Sequence, residues 1–80
     1  ESTDIHIEEI PVSESSKLVG VRLMESGIRQ EYNLLILSII KADGEMVFNP
    51  LADTRIKSEQ KVIACGKSED LAKLEKALNP

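Results

Sequence analysis

Few side chains in this 80-residue sequence are equipped for chemistry. The only histidine, His6, stands two residues from Asp4 and two from Glu8. On a strand that spacing puts all three on one face, where an imidazole and two carboxylates could hold a cation. The same spacing also describes an ordinary solvent-facing strand surface. The only cysteine, Cys65, ends the apolar run Val62–Cys65, with no base or cation beside it to lower its pKa. It is expected to be buried and unreactive, a small hydrophobe in a strand. One cysteine can form neither an internal disulfide nor a thiolate zinc cluster. Nucleophilic catalysis needs a nucleophile beside a base, and no such pair is legible. Gly20, Gly27, Gly44 and Gly66 form neither a phosphate loop nor a dinucleotide fingerprint. No enzyme is expected from these residues.

Binding chemistry is better represented. Glu8, Glu9 and Glu14 could offer oxygens to a divalent cation such as Ca²⁺, or could simply keep a sheet edge soluble. Arg22 and Arg29 flank a short helical-looking segment. A guanidinium fork grips phosphate or carboxylate bidentately, which the point charge of a lysine cannot do. On the residues alone, the favoured role of Arg29 is a surface ion pair with Glu25, four residues before it. If the domain binds an anion, Arg29, which follows the apolar Ile28, is the expected contact, with Asn49 as a hydrogen-bonding partner.

The whole chain constrains these options. Net charge is −4, so no phosphate-backbone face is expected and no nucleic-acid partner. With one Phe, one Tyr and no Trp, a stacking platform for single strands is not expected either. A small anion held by one or two arginines remains compatible with that charge. The apolar share of 41% is ample for a folded domain, and 80 residues leave room for only one. Such a domain buries only roughly 60% of its unfolded surface, and here it must do so without large rings. Association with a second copy would relieve the shortage. No run approaches the ~20 apolar residues of a membrane span, so this segment is not expected to insert into a bilayer. The polar start Glu1–Asp4 is unlike a secretory leader, and a cytoplasmic place is expected. Because the chain starts on Glu1 rather than Met, residues 1–80 are expected to be one domain cut from a larger protein.

The elements that must carry these residues follow from periodicity. Ile5 and Ile7 share one parity, Ile10 and Val12 the other, so a strand with a bulge at Glu8-Glu9 is expected. Pro11 cannot donate to a ladder and marks an edge strand. A helical stretch runs from Arg22 to about Glu31, divided by Gly27 and stopped at Asn33. Leu34 to Ile40 is a near-continuous apolar run, read as a strand covered on both faces. Ala42-Asp43-Gly44-Glu45 is a hairpin turn, Met46–Phe48 the returning strand and Asn49-Pro50 its stop. After a connection with little periodicity, Val62–Cys65 is a further strand closed by Gly66. Ser68 caps a last helix whose stripe is Leu71, Leu74 and Leu78. The order β-α-β-β-β-α reads as a small α+β sandwich. The strand Leu34–Ile40, too apolar for so small a domain to cover, again predicts a homodimer.

Several short patterns in this order resemble the TrkA-C family, the C-terminal subdomain of RCK regulators of potassium channels and transporters. They are Leu18, Gly20, Leu23 and Glu25; then Ile28-Arg29 and the stop Tyr32-Asn33. The apolar strand Leu35–Lys41, the hairpin reaching Pro50, the step Thr54 to Ile56, Gly66 and the helix Leu71–Leu78 complete them. Two positions depart from the family pattern. Glu59-Gln60 stands where Gly-Asp is usual before the last strand, and Val21 where a lysine commonly follows the first glycine. The resemblance implies a regulatory domain that dimerises and senses a small ligand in the cleft between two copies. In some members that ligand is cyclic di-AMP; others are linked to divalent cations. The implied contact set is Arg29 on phosphate, with Ile28, Leu35, Asn49 and Pro50 around it. At the position of Leu35 those members use an asparagine, whose hydrogen bond leucine cannot make. A purely structural dimerisation module with no ligand is the alternative, and an enzyme fragment a distant third.

Overall fold

The computed structural model describes residues 4–80; the acidic start at Glu1, Ser2 and Thr3 lies outside them. Four strands form one antiparallel sheet in the order β1-β4-β2-β3. They are β1 (Ile5–Pro11), β2 (Leu35–Ile40), β3 (Met46–Phe48) and β4 (Lys61–Lys67), and the helix α1 (Ser68–Leu78) follows. Among the described residues no helix is long and apolar enough to cross a membrane.

The α+β class and the element order agree with the sequence reading, but the first helix is much shorter. Only Leu23–Glu25 form a 3₁₀ turn, and one further turn follows, with Glu31 and Tyr32 N–H donating to the Gly27 carbonyl. Gly27 lies at φ +79°, which breaks the right-handed path. The N–H groups of Leu23 and Met24 are spent on the carbonyls of Thr54 and Ala52. Residues 20–24 therefore run antiparallel to the irregular connection 52–56, which had shown no periodicity of its own.

Register decides which side chains share a face, because paired residues point the same way. β1 pairs with β4 from Ile5↔Lys67 to Pro11↔Lys61 without a shift, so the bulge expected at Glu8-Glu9 is absent. The irregularity falls in β2, where Leu37 is the extra residue between Ile36↔Ala64 and Ser38↔Ile63. The inner face carries Ile10, Val62 and Ile39 in one row and Ala64 with Ile36 in the next. Leu71, Leu74 and Leu78 of α1 are fully buried and join Ile10, Val62 and Ala64 in the core. On the outer face the rows are Ile7–Cys65–Leu35 and Glu9–Ile63–Ser38–Phe48. There Ile7 is 63% exposed, Leu35 53% and Phe48 74%.

Two readings change as a result. The strand Leu35–Ile40 is covered on one face by this chain, not on both. Cys65 is half-buried rather than buried, because its parity turns it to the outer face.

The ends of α1 are tied as its backbone requires. The last carbonyls of a helix lack partners within it. Here Ala77 accepts from the Ser16 hydroxyl at 2.8 Å and Leu78 from the Ser13 N–H at 3.0 Å. Asn79 adds a side-chain bond to the Pro11 carbonyl at 2.9 Å. The N-cap is Lys67 rather than Ser68 and makes no side-chain bond; Glu69 and Asp70 face the positive end of the dipole instead.

In the turn before β4, Glu59 adopts φ +68°. The following Gln60 is buried, and its side-chain oxygen accepts the Lys57 N–H at 2.9 Å. The turn is thus made with a residue that resists its own backbone angle, at a cost of about 1 kcal/mol. Glu59→Gly is expected to recover that amount and raise Tm by roughly 4–8 °C. Thermal unfolding followed by circular dichroism checks it; an unchanged or lower Tm would refute strain at this position.

Candidate functional site

The Gly27–Tyr32 turn, the start of β2 and the loop after β3 enclose a cavity of about 220 Å³. Leu23, Met24, Ile28, Leu34 and Ile36 give it an apolar part. Arg29, Gln30 and Asn49 bring the polar groups, and Pro50 also lines it.

Local backbone chemistry builds this arrangement. The Ser26 hydroxyl donates to the Leu23 carbonyl at 2.7 Å and accepts the Ile28 N–H at 3.2 Å. That pins Ile28, 2% exposed, into the core, and its carbonyl accepts the Leu34 N–H at 3.1 Å. Arg29, next in the turn, is thereby directed outward while still lining the cavity. On the opposite wall Asn49 has φ +52°, a conformation asparagine tolerates better than most residues. Its N–H donates to the Leu37 carbonyl at 2.7 Å, at the bulge, and so sets the direction in which the chain enters Pro50.

Charge pairing leaves Arg29 available. Glu25, the expected partner, is taken by Arg22 through two parallel bonds, Nε–Oε1 at 3.2 Å and Nη2–Oε2 at 2.7 Å. The hydrogen bond from Arg22, and then its charge, hold the Glu25 carboxyl below the ordinary carboxylate range. Falling pH therefore releases this exposed pair only below the pKa of a free glutamate. Among the described residues Arg29 enters no ion pair, and neither it nor the Asn49 side chain makes a hydrogen bond. An uncompensated guanidinium beside a cavity of mixed polar and apolar lining, in an acidic protein, suits a ligand with an anionic group and a larger apolar or planar body.

Of the residues singled out from sequence, Ile28, Arg29, Asn49 and Pro50 come together here. Leu35 does not line the cavity; it pairs with Cys65 on the outer face of the sheet. Its neighbours Leu34 and Ile36 line the cavity in its place, and they were not singled out. Strand alternation separates them from Leu35, but a run as apolar as Leu34–Leu37 hides which parity points inward. His6 contacts Asp4, two residues before it on the exposed part of β1. Among the described residues no three His, Cys, Asp or Glu side chains converge as a cation site would need.

Known proteins supply the frame for this geometry. The K(+)/H(+) antiporter subunit KhtT of Bacillus subtilis (strain 168) is 33% identical over 72 residues, which cover 90% of this chain and 44% of KhtT. The chain thus spans less than half the length of that relative. The RCK C domain of the potassium transport protein KtrA, solved in complex with cyclic di-AMP, superposes with a TM-score of 0.79 at 26% identity. That match covers 91% of this chain and 82% of the other. An RCK_C domain dimer of BusR from S. agalactiae, also with cyclic di-AMP, gives 0.82 at 22% identity, covering 91% of this chain and 95% of that one, and speaks for the fold alone. The family model for the TrkA-C domain matches residues 7–79, nearly the whole of the described chain, and this chain therefore belongs to the TrkA-C domain family.

Proposed function

We propose that this chain is a ligand-sensing, dimerising regulatory domain of a potassium or other cation transport system, on the cytoplasmic side, and that its ligand is a cyclic dinucleotide such as cyclic di-AMP. The observation that carries the ligand is Arg29. Among the described residues it is unpaired, beside a cavity of about 220 Å³ with a partly apolar lining that includes Asn49 and Pro50. A dinucleotide offers what the cavity lacks, an anionic phosphate and a flat, largely apolar base. The KtrA domain was solved with this nucleotide bound, and the KhtT relative is an antiporter subunit. A divalent cation is the poorer fit, since the described residues gather no set of ligating side chains. On this reading the domain performs no reaction. Binding shifts an equilibrium in the transport system to which it is joined, by as much as the ligand's affinity differs between the two states.

Calorimetry with cyclic di-AMP against the purified chain tests the proposal. Saturable binding, with one nucleotide per two chains, is the expected result. Stabilisation should follow mass action, about 2.7 kcal/mol at a hundredfold excess over Kd. Absence of binding by cyclic di-AMP, with linear and single-phosphate adenine nucleotides equally silent, would leave the structural dimerisation module as the better account.

A further inference from the structure

β1 is the long free edge of the sheet. In the order β1-β4-β2-β3, β1 and β3 each have a strand on one side only, and β1 has seven residues against three. Its register against β4 runs from Ile5 to Pro11 without a bulge. In an antiparallel strand alternate residues bond to the neighbour, and the residues between them turn their N–H and C=O groups away from it. Val12 belongs to the bonded set: its N–H donates to the Gln60 carbonyl and its carbonyl accepts the Glu59 N–H. Pro11 belongs to the other set, and its carbonyl accepts the Asn79 side chain instead. By that alternation Ile5, Ile7 and Glu9 present their backbone groups to the outside, where no described residue bonds to them. Ile5 and Ile7 are more than half exposed. His6 and Glu8, which have the parity of the inner face, are exposed as well, so α1 does not reach over this edge.

We infer that this edge accepts an added strand, and that the strand is an extended basic segment of a partner protein, with apolar residues at alternate positions and lysine or arginine between them. Strand addition draws its affinity from main-chain hydrogen bonds and its selectivity from alternate side chains. An edge of this length is ordinarily blunted by a bulge, a proline at mid-strand or a lysine. β1 has no bulge, its one proline stands at the end, and it contains no lysine or arginine. Its charges are acidic. Glu9 is paired with Lys61 at 3.2 Å, and Asp4, just before the strand, contacts His6. Glu8 enters no ion pair among the described residues. Two copies meeting edge to edge would bring acid against acid, since each supplies Asp4, Glu8 and Glu9. Like charges across a strand pair destabilise it, whereas a cation opposite Glu8 stabilises it. The acids that hold copies apart therefore select a basic segment. Its apolar residues fall beside Ile5 and Ile7 on the outer face, and its cation beside Glu8 on the inner one. No residue of this edge lines the cavity at Arg29, so the inference is independent of the ligand proposed above.

Nuclear magnetic resonance on the isotope-labelled chain tests this, with an acetylated peptide of seven residues alternating valine and lysine as the probe. In the free protein the amide protons of Ile5, Ile7 and Glu9 should exchange fast with solvent and those of His6, Glu8 and Ile10 slowly. The peptide should shift the Ile5, Ile7 and Glu9 resonances saturably and slow their exchange at least about tenfold, with no shift at Arg29. Glu8→Lys should weaken that peptide at least about threefold and favour one alternating valine and glutamate. Ile7→Pro keeps the bonds to β4, because the N–H it removes faces outward, and should abolish the shifts. Should that variant unfold, the valine–lysine peptide N-methylated throughout takes its place: lacking every main-chain donor, it should not bind. The inference is overturned if the valine–lysine peptide at millimolar concentration leaves the three amides unmoved. It is overturned equally if the valine–glutamate or the N-methylated peptide moves them as much in the wild type. Exchange at Ile5, Ile7 and Glu9 that slows with protein concentration alone would give the edge to a second copy and also overturn it.

Discussion

Leu74→Ala is expected to remove about 2–5 kcal/mol of stability, the range for deleting most of a fully buried leucine from a core. Leu74 is fully buried, as are Leu71 and Leu78, one turn to either side on the same stripe. Its helix lies against β1 and β4 and, among the described residues, is the only long helix covering the sheet's inner face. No aromatic ring belongs to the fully buried set, so its fully buried neighbours are all aliphatic. A domain of this size has a total stability of roughly 4–12 kcal/mol, so the loss takes a large part of it. Urea unfolding should show a lower midpoint with little change in slope. Lys73→Ala, on the exposed side of α1, should move stability by no more than about 0.5 kcal/mol. Equal effects at the two positions would mean that α1 is not docked by this stripe.

That stripe was also the part of the fold most legible in the sequence. Leu71, Leu74 and Leu78 repeat with a helical period, acids precede them and Asn79-Pro80 follows, so each local signal agrees with the packing. β1 was harder. Ile5 and Ile7 have one parity and Ile10 and Val12 the other, and a bulge was the natural way to put all four on one face. The register is straight, and both parities are apolar because both faces of the sheet are. The assumption that a strand has one apolar side fails here because Ile5 and Ile7 stay exposed on the other side. The true bulge, at Leu37, is invisible for the related reason that every neighbour but Ser38 is aliphatic. The same ambiguity displaced Leu35 from the cavity in favour of Leu34 and Ile36.

The polar residues of the cavity were easier to read than its apolar ones. Arginine and asparagine in an acidic, aromatic-poor chain are rare enough to be noticed, and Asn49 before Pro50 announces a turn. What sequence could not decide was the partner of Glu25. Arg29 at i+4 and Arg22 at i−3 are both within reach on an ideal helix. The helix is not ideal. The 3₁₀ turn at Leu23–Glu25 brings Arg22 onto Glu25, and Gly27 then redirects the chain before Arg29. A break in the helix thus frees the guanidinium that the proposed function requires.

Arg29→Ala should accordingly weaken binding of cyclic di-AMP by at least about tenfold while leaving fold and assembly intact. A hydrogen bond to a charged group contributes about 1.5–3 kcal/mol, which corresponds to roughly 10–150-fold in Kd. Folding should not suffer, because Arg29 is exposed and no described residue depends on it for an ion pair. Arg29→Lys should recover only part of the loss: it restores the charge but not the two parallel donors that fit a phosphate. Arg22→Ala is the informative control. Arg22 carries the same charge and lies seven residues away in sequence, but it is held by Glu25 and does not line the cavity. If general attraction between the nucleotide and positive charge accounts for binding, Arg22→Ala and Arg29→Ala should weaken it alike, and raised salt should abolish it. If Arg29 contacts the phosphate, only its replacement matters, and the loss persists at moderate salt. Calorimetry on the four proteins separates these outcomes. Equal affinity in the wild type and Arg29→Ala would remove Arg29 from the site and place any nucleotide elsewhere on the domain.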